Sequence, residues 1–117
     1  MAAAALLAGC SSVGNLTPSR YARAENGFYR VEAVWNSNSE AIREDSFRPE
    51  VVVGLKTYPM QRVPLVQDRW EAYIPVAPGE TEIVYHFRFD YVENGFYHAK
   101  QGSADSPDYT LKIIDKK

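Results

Sequence analysis

The chain reads as an all-β antiparallel sandwich of about seven short strands. Three observations carry that expectation. Hydrophobic residues make up 45% of the chain and aromatics 13%, with eight Tyr, five Phe and two Trp. Such side chains pack well on a pleated face. Apolar and polar residues alternate with period two in several segments. Turn formers recur about every ten residues, with no helical periodicity between them.

The elements follow in chain order. Residues 1–9 are an apolar leader, and 10–26 read as a tether. Ser11, Ser12, Gly14, Asn15, Thr17, Pro18 and Ser19 are turn and loop formers. The domain proper is expected over residues 27–117, enough for one core. Tyr29, Val31, Ala33 and Trp35 alternate with Arg30, Glu32 and Val34, the pattern of a half-buried strand. Asn36-Ser37-Asn38-Ser39 breaks it, and Glu40 to Asp45 reads as a helical turn or polar loop. Val51, Val53 and Leu55 share one face of the next strand, which Tyr58-Pro59 ends. Val63-Pro64-Leu65-Val66 reads as a short edge strand, since proline cannot donate to a ladder. Trp70, Ala72 and Ile74 alternate with Glu71 and Tyr73.

Pro78-Gly79-Glu80 is a turn. The clearest strand follows it. Ile83, Tyr85, Phe87, Phe89 and Tyr91 fall on one face, and Val84, His86, Arg88 and Asp90 on the other. One greasy side and one wet side suit an antiparallel sheet with a single solvated face. Asn94-Gly95 predicts a type I′ hairpin turn. Gln101 to Asp108 reads as a polar loop, and Tyr109, Leu111 and Ile113 as the last strand. Glu25-Asn26-Gly27-Phe28-Tyr29 recurs as Glu93-Asn94-Gly95-Phe96-Tyr97. The flanks differ, so the repeat reads as two turns of similar chemistry rather than a duplication.

Leu7-Ala8-Gly9-Cys10, followed by Ser11, resembles the lipobox of bacterial lipoproteins. No Lys or Arg precedes it, so the leader reads as incomplete. The resemblance implies cleavage before Cys10, its acylation, and a lipid-anchored place in the cell envelope. Serine after the cysteine implies the outer membrane. Cys10 is also the single cysteine, which excludes a disulfide-stapled fold. No later apolar run approaches the roughly 20 residues that span a bilayer.

The domain resembles immunoglobulin-like and fibronectin type III sandwiches. Ile74 through Pro78-Gly79 to Tyr85-His86-Phe87-Arg88-Phe89 carries the likeness, with Trp35 in the place of that family's core tryptophan. It is also similar to glycogen-binding modules of the early-set type, through Trp70, Pro78-Gly79 and Tyr85-x-Phe87-x-x-Asp90. The first resemblance implies a protein-interaction or structural module. The second implies a glycan as the alternative partner.

The residues specify no reaction. His86 and His98 stand twelve positions apart without ligand spacing, and they read as surface residues rather than a metal site. No serine lies in a Gly-x-Ser-x-Gly elbow. Asp105 and Asp108 with Ser103 and Ser106 read as a solvated loop rather than a calcium site. No catalytic residue, metal or cofactor is expected. A net charge of -2 without a basic block excludes the electrostatic footprint of nucleic-acid binding. Candidate contact residues for a partner or glycan are Phe28, Tyr73, Phe96 and Tyr97, aromatics near turns or on the wet face.

Overall fold

The computed structural model describes residues 12–36, 42–95 and 97–115. Cys10 with the rest of 1–11, the stretch 37–41, Phe96, and the two final lysines lie outside the described residues. The described chain is a two-sheet β-sandwich, as its alternation predicts. Its strands are β1 (Ser12–Asn15), β2 (Arg20–Ala22), β3 (Phe28–Asn36), β4 (Arg48–Val53), β5 (Lys56–Pro59), β6 (Gln61–Arg62), β7 (Arg69–Pro75), β8 (Glu82–Glu93), β9 (Lys100–Asp105) and β10 (Tyr109–Ile114).

One sheet has the order β1-β3-β7-β6, and the other β2-β10-β8-β4-β5 with β9 also on β8. Chain-order strands one and two thus fall in opposite sheets, and the first sheet follows the A-B-E-D order of an immunoglobulin-type sandwich. Every pairing is antiparallel except β2 with β10. The inward side chains of β3 (Tyr29, Val31, Ala33, Trp35) and β8 (Ile83, Tyr85, Phe87, Phe89) are all buried. Burying each large apolar side chain is worth about 1.5–3 kcal/mol. Trp35 stacks on Phe89 across the layers, with ring centroids 5.2 Å apart and planes at 14°. Phe47 and Tyr91 meet the edges of the same indole at 5.1 and 5.4 Å.

Several expectations give way at the sheet margins. The stretch read as a tether contributes two strands. Val13 of β1 is buried beside Trp35, and Tyr21 of β2 pairs with Ile113. Such short edge strands carry little alternation of their own; their partners specify them. Gly54, at φ 60, turns β4 into β5, so Leu55 is an exposed turn residue and Tyr58-Pro59 ends the return strand of a hairpin rather than the strand of Val51 and Val53. Val63 to Val66 is a turn rather than a strand, with Leu65 at φ 63 and Asp68 at φ 60. The edge strand there is β6, just before it.

Asn94-Gly95 does not form a two-residue hairpin. The link between β8 and β9 runs from Asn94 to Ala99, and neither Asn94 nor Gly95 has a positive φ. A Cβ on Gly95 would instead collide with the His98 carbonyl. The two pentapeptide copies therefore differ in conformation. In the first, Gly27 has φ 73 and its N–H donates to Ala24 O at 3.2 Å. The expected polar loop at 101–108 is largely β9.

β9 and β10 lie end to end along β8. Asp105 opposes Arg88 and Tyr109 opposes Tyr85, so three residues face two between these pairs. This is a β-bulge. Pro107 has no N–H to give. Ser106 N donates to Phe87 O at 2.9 Å, and its Oγ accepts from Phe87 N at 2.8 Å. Gly102 has a separate constraint. Tyr91 lies opposite it, and a Cβ there would sit 2.5 Å from the ring.

The topology also fixes which loops share an end. Ser12 opposes Asn36, and Trp35 N donates to Asp68 O at 2.8 Å. Arg43 N donates to Val92 O at 2.8 Å. The start of β1, the β6–β7 turn and the β8–β9 loop therefore lie at one end, and the turns at Ala24–Gly27, Gly54–Leu55 and Ala77–Glu80 at the other.

Truncating the inter-sheet stack should be severe. Trp35→Ala is expected to cost about 3–5 kcal/mol, read as a fall in the urea midpoint. Gly102→Ala should cost about 1–3 kcal/mol through overpacking, with much of the loss recovered in combination with Tyr91→Ala. A Gly102 variant as stable as the parent would contradict the close approach of the ring.

Candidate functional site

The outward face of the four-stranded sheet is built by two strands that share a local pattern, Arg30-Val31-Glu32 and Arg69-Trp70-Glu71. In each, the central residue is buried and the flanking charges point outward. Antiparallel pairing sets Glu32 directly opposite Glu71. Like charges in that position repel. Arg30 removes the conflict by bridging both, with Nε 2.5 Å from Glu71 and Nη1 2.8 Å from Glu32. Arg69 adds a longer contact to Glu32 at 3.7 Å. The Arg30 guanidinium is held above its usual pKa, first by the hydrogen bond to Glu71.

Glu32 is the one buried charged residue among those described. Its backbone is pinned by the chain leaving β1. Glu32 N donates to Thr17 Oγ1 at 2.9 Å, and Leu16 N donates to Glu32 O at 2.9 Å. The middle of the face is thus a fixed ladder of two acids and two bases. Such a ladder holds the strands in register and leaves few free groups for chemistry.

Beyond the ladder, Phe28 opposes Pro75 and Arg30 opposes Tyr73. Phe28 and Tyr73 are therefore diagonal neighbours on one face, within reach of each other's rings. They are 48% and 57% exposed. Pro75 is exposed beside them. The backbone here is anchored from the other sheet, since Tyr21 OH donates to Arg30 O at 2.5 Å. Of the sequence-derived candidates, the structure brings Phe28 and Tyr73 together. Tyr97 is 94% exposed but sits at the opposite end of the sandwich. Phe96 and Cys10 lie outside the described residues.

The outer face of the six-stranded sheet holds a polar groove of about 350 Å³, lined by Asp45, Ser46, Arg48, Arg88, Asp90 and Gln101 among others. Two of its charges pair with each other. Arg88 Nε lies 3.3 Å from Asp90, and this hydrogen bond raises the arginine pKa. His86 Nδ1 lies 3.5 Å from Asp108 on the same face. Among the described residues, no group of three His, Cys, Asp or Glu is placed to hold a metal ion. Nor is any described helix long and apolar enough to cross a membrane.

Sequence reasoning singled out the aromatics and missed the ladder. The signal was present as Arg-x-Glu in two strands, but it acquires meaning only once the register places Glu32 opposite Glu71.

No family model matches the chain, and neither does any curated protein. Among solved structures, it is similar to the endo-beta-1,4-mannanase from Thermotoga petrophila, at 8% identity and a TM-score of 0.57. The match covers 92% of this chain and 20% of the mannanase chain. The chain thus spans about a fifth of that protein's length, and the likeness is one of fold.

Two measurements test this account. Glu32→Gln should cost about 1–3 kcal/mol by leaving Arg30 and Arg69 short of a buried acceptor, read as a lower thermal midpoint. Tyr21 bears on alkaline stability. Burial is the largest influence on its hydroxyl and raises its pKa, against Arg30, which lowers it. The native chain then keeps this proton to higher pH than the unfolded chain does. That contribution is complete below about pH 10 and fades as pH rises through the folded pKa. Tyr21→Phe should therefore lose stability at neutral pH yet show a shallower alkaline decline.

Proposed function

We propose that the chain is a lipid-anchored cell-envelope lipoprotein whose immunoglobulin-like sandwich is a non-catalytic protein-interaction module. Cys10, in its lipobox-like setting, is the attachment point, and the outer membrane is its location. The outward face of the four-stranded sheet is the partner surface. One observation carries this reading: Phe28 and Tyr73 stand exposed on one rigid face, beside an ion-pair ladder that fixes the strands beneath them. Aromatic anchors with two χ angles lose little entropy on docking and often dominate interface energies. The patch lies at the end of the sandwich away from Ser12, where an anchored domain would offer it to a partner.

The same two rings support a second reading, a glycan-binding module, because exposed aromatics also stack on sugar faces. The fold alone does not choose between them.

The readings separate by experiment. Intact mass of the chain expressed in a bacterium with a full leader should show acylation at Cys10; an unmodified thiol would end the anchored reading. A photo-crosslinker at Tyr73 should yield a discrete protein adduct in cell envelopes, and Phe28→Ala should weaken it. Recovery of monomer alone, together with millimolar binding on a glycan array, would transfer the assignment to the glycan reading.

A further inference from the structure

Resting on the anchored reading, the structure also bears on how the domain meets the bilayer. Cys10 precedes Ser12, the first residue of β1, by two positions. Two residues of extended chain cover at most about 7 Å. An acyl group on Cys10 would therefore hold the start of β1 at the lipid headgroups, with no long spacer between them. β1 does not begin just anywhere on the sandwich. Its start lies at the end that carries the β6–β7 turn and the β8–β9 loop.

Both of these connections present apolar side chains at their tips. Leu65 is 106% exposed and has φ 63. Bulky L-residues rarely adopt that conformation, and here it turns the side chain away from the domain. Val66 is exposed next to it, and Tyr97 stands on the β8–β9 loop at the same end. An aliphatic tip and an aromatic with a polar end, both at one end, are the composition favoured where hydrocarbon meets headgroups. Behind the β6–β7 turn, Trp70 is buried under the Arg62 guanidinium at 4.5 Å.

We infer that this end of the sandwich rests on the membrane, with Leu65 and Tyr97 inserted into the lipid interface. The two tips and the acyl anchor make three points of attachment, which define an orientation where the anchor alone would not. Phe28 and Tyr73 are then held at the far end, facing away from the lipid.

The single cysteine allows a direct test. The full chain is coupled through Cys10 to a maleimide lipid in phosphatidylcholine vesicles whose acyl chains carry bromine, a contact quencher of tryptophan. Trp35 and Trp70 are buried and give a steady background. In L65W, about a third of the emission, one tryptophan in three, should be lost in brominated relative to plain vesicles. In L55W, whose reporter sits at the opposite end, emission should be unchanged. Tyr97→Ala in the L65W background should reduce the quenching. Equal quenching of L65W and L55W, or none of either, overturns the inference. Because the coupling is chemical, the result does not depend on acylation in cells. Clear quenching of L65W alongside an unmodified Cys10 in cells would overturn the anchored reading and leave the membrane-facing geometry intact.

Discussion

The contact of Trp35 with Phe89 is the constraint on which the sandwich depends. These two residues belong to the central strands of opposite sheets, and their rings lie nearly parallel at 5.2 Å. Phe47, Trp70 and Tyr91 gather around them. The cluster joins the loop after β3, the start of β7 and the end of β8, none of which are neighbours in sequence. Once it forms, the layer spacing and the relative placement of the two sheets follow. Toward the other end a second group of large side chains, Tyr29, Tyr85, Phe87 and Ile74, packs between the layers.

The solvent side of the first sheet obeys a different rule. Packing does not specify it, and charges do. Two carboxylates forced opposite each other by the register are reconciled by one guanidinium between them. Fully exposed ion pairs are worth only about 0–1 kcal/mol, but here Glu32 is buried and its hydrogen bonds count for more. The ladder also resists slippage, because a shift of one residue would reverse every side chain between core and solvent. The aromatic pair at the end of this face inherits a backbone held from both sheets, by the ladder on one side and by Tyr21 on the other.

Much of the architecture was legible because β3, β7 and β8 each have one greasy and one wet side. In β8 the alternation runs from Ile83 to Phe89 without a break, and every inward position is buried. Legibility failed where pairing, not composition, makes a strand. β1 and β2 are short and polar, and their partners lie far along the chain. Val63 to Val66 misled in the opposite direction, since an apolar run was spent on an exposed turn. The functional surface divides in the same way. Phe28 and Tyr73 were visible as aromatics in excess of core needs. Arg30, Glu32, Arg69 and Glu71 were not, because a charge ladder exists only between strands.

The bulge at Ser106–Asp108 explains why β9 was hidden, and it has a further consequence. In β9 the even-numbered Gly102 and Ala104 turn inward; in β10 the odd-numbered Leu111 and Ile113 do. The extra residue works as a phase shifter between two half-strands that share one partner. What the fold keeps at this point is a spacing, together with the Ser106 hydroxyl that accepts from Phe87 N. The segment should accept many replacements at Asp108. Losing one residue there would leave the two halves out of step, with either Leu111 and Ile113 or Gly102 and Ala104 driven to the wrong side of the sheet.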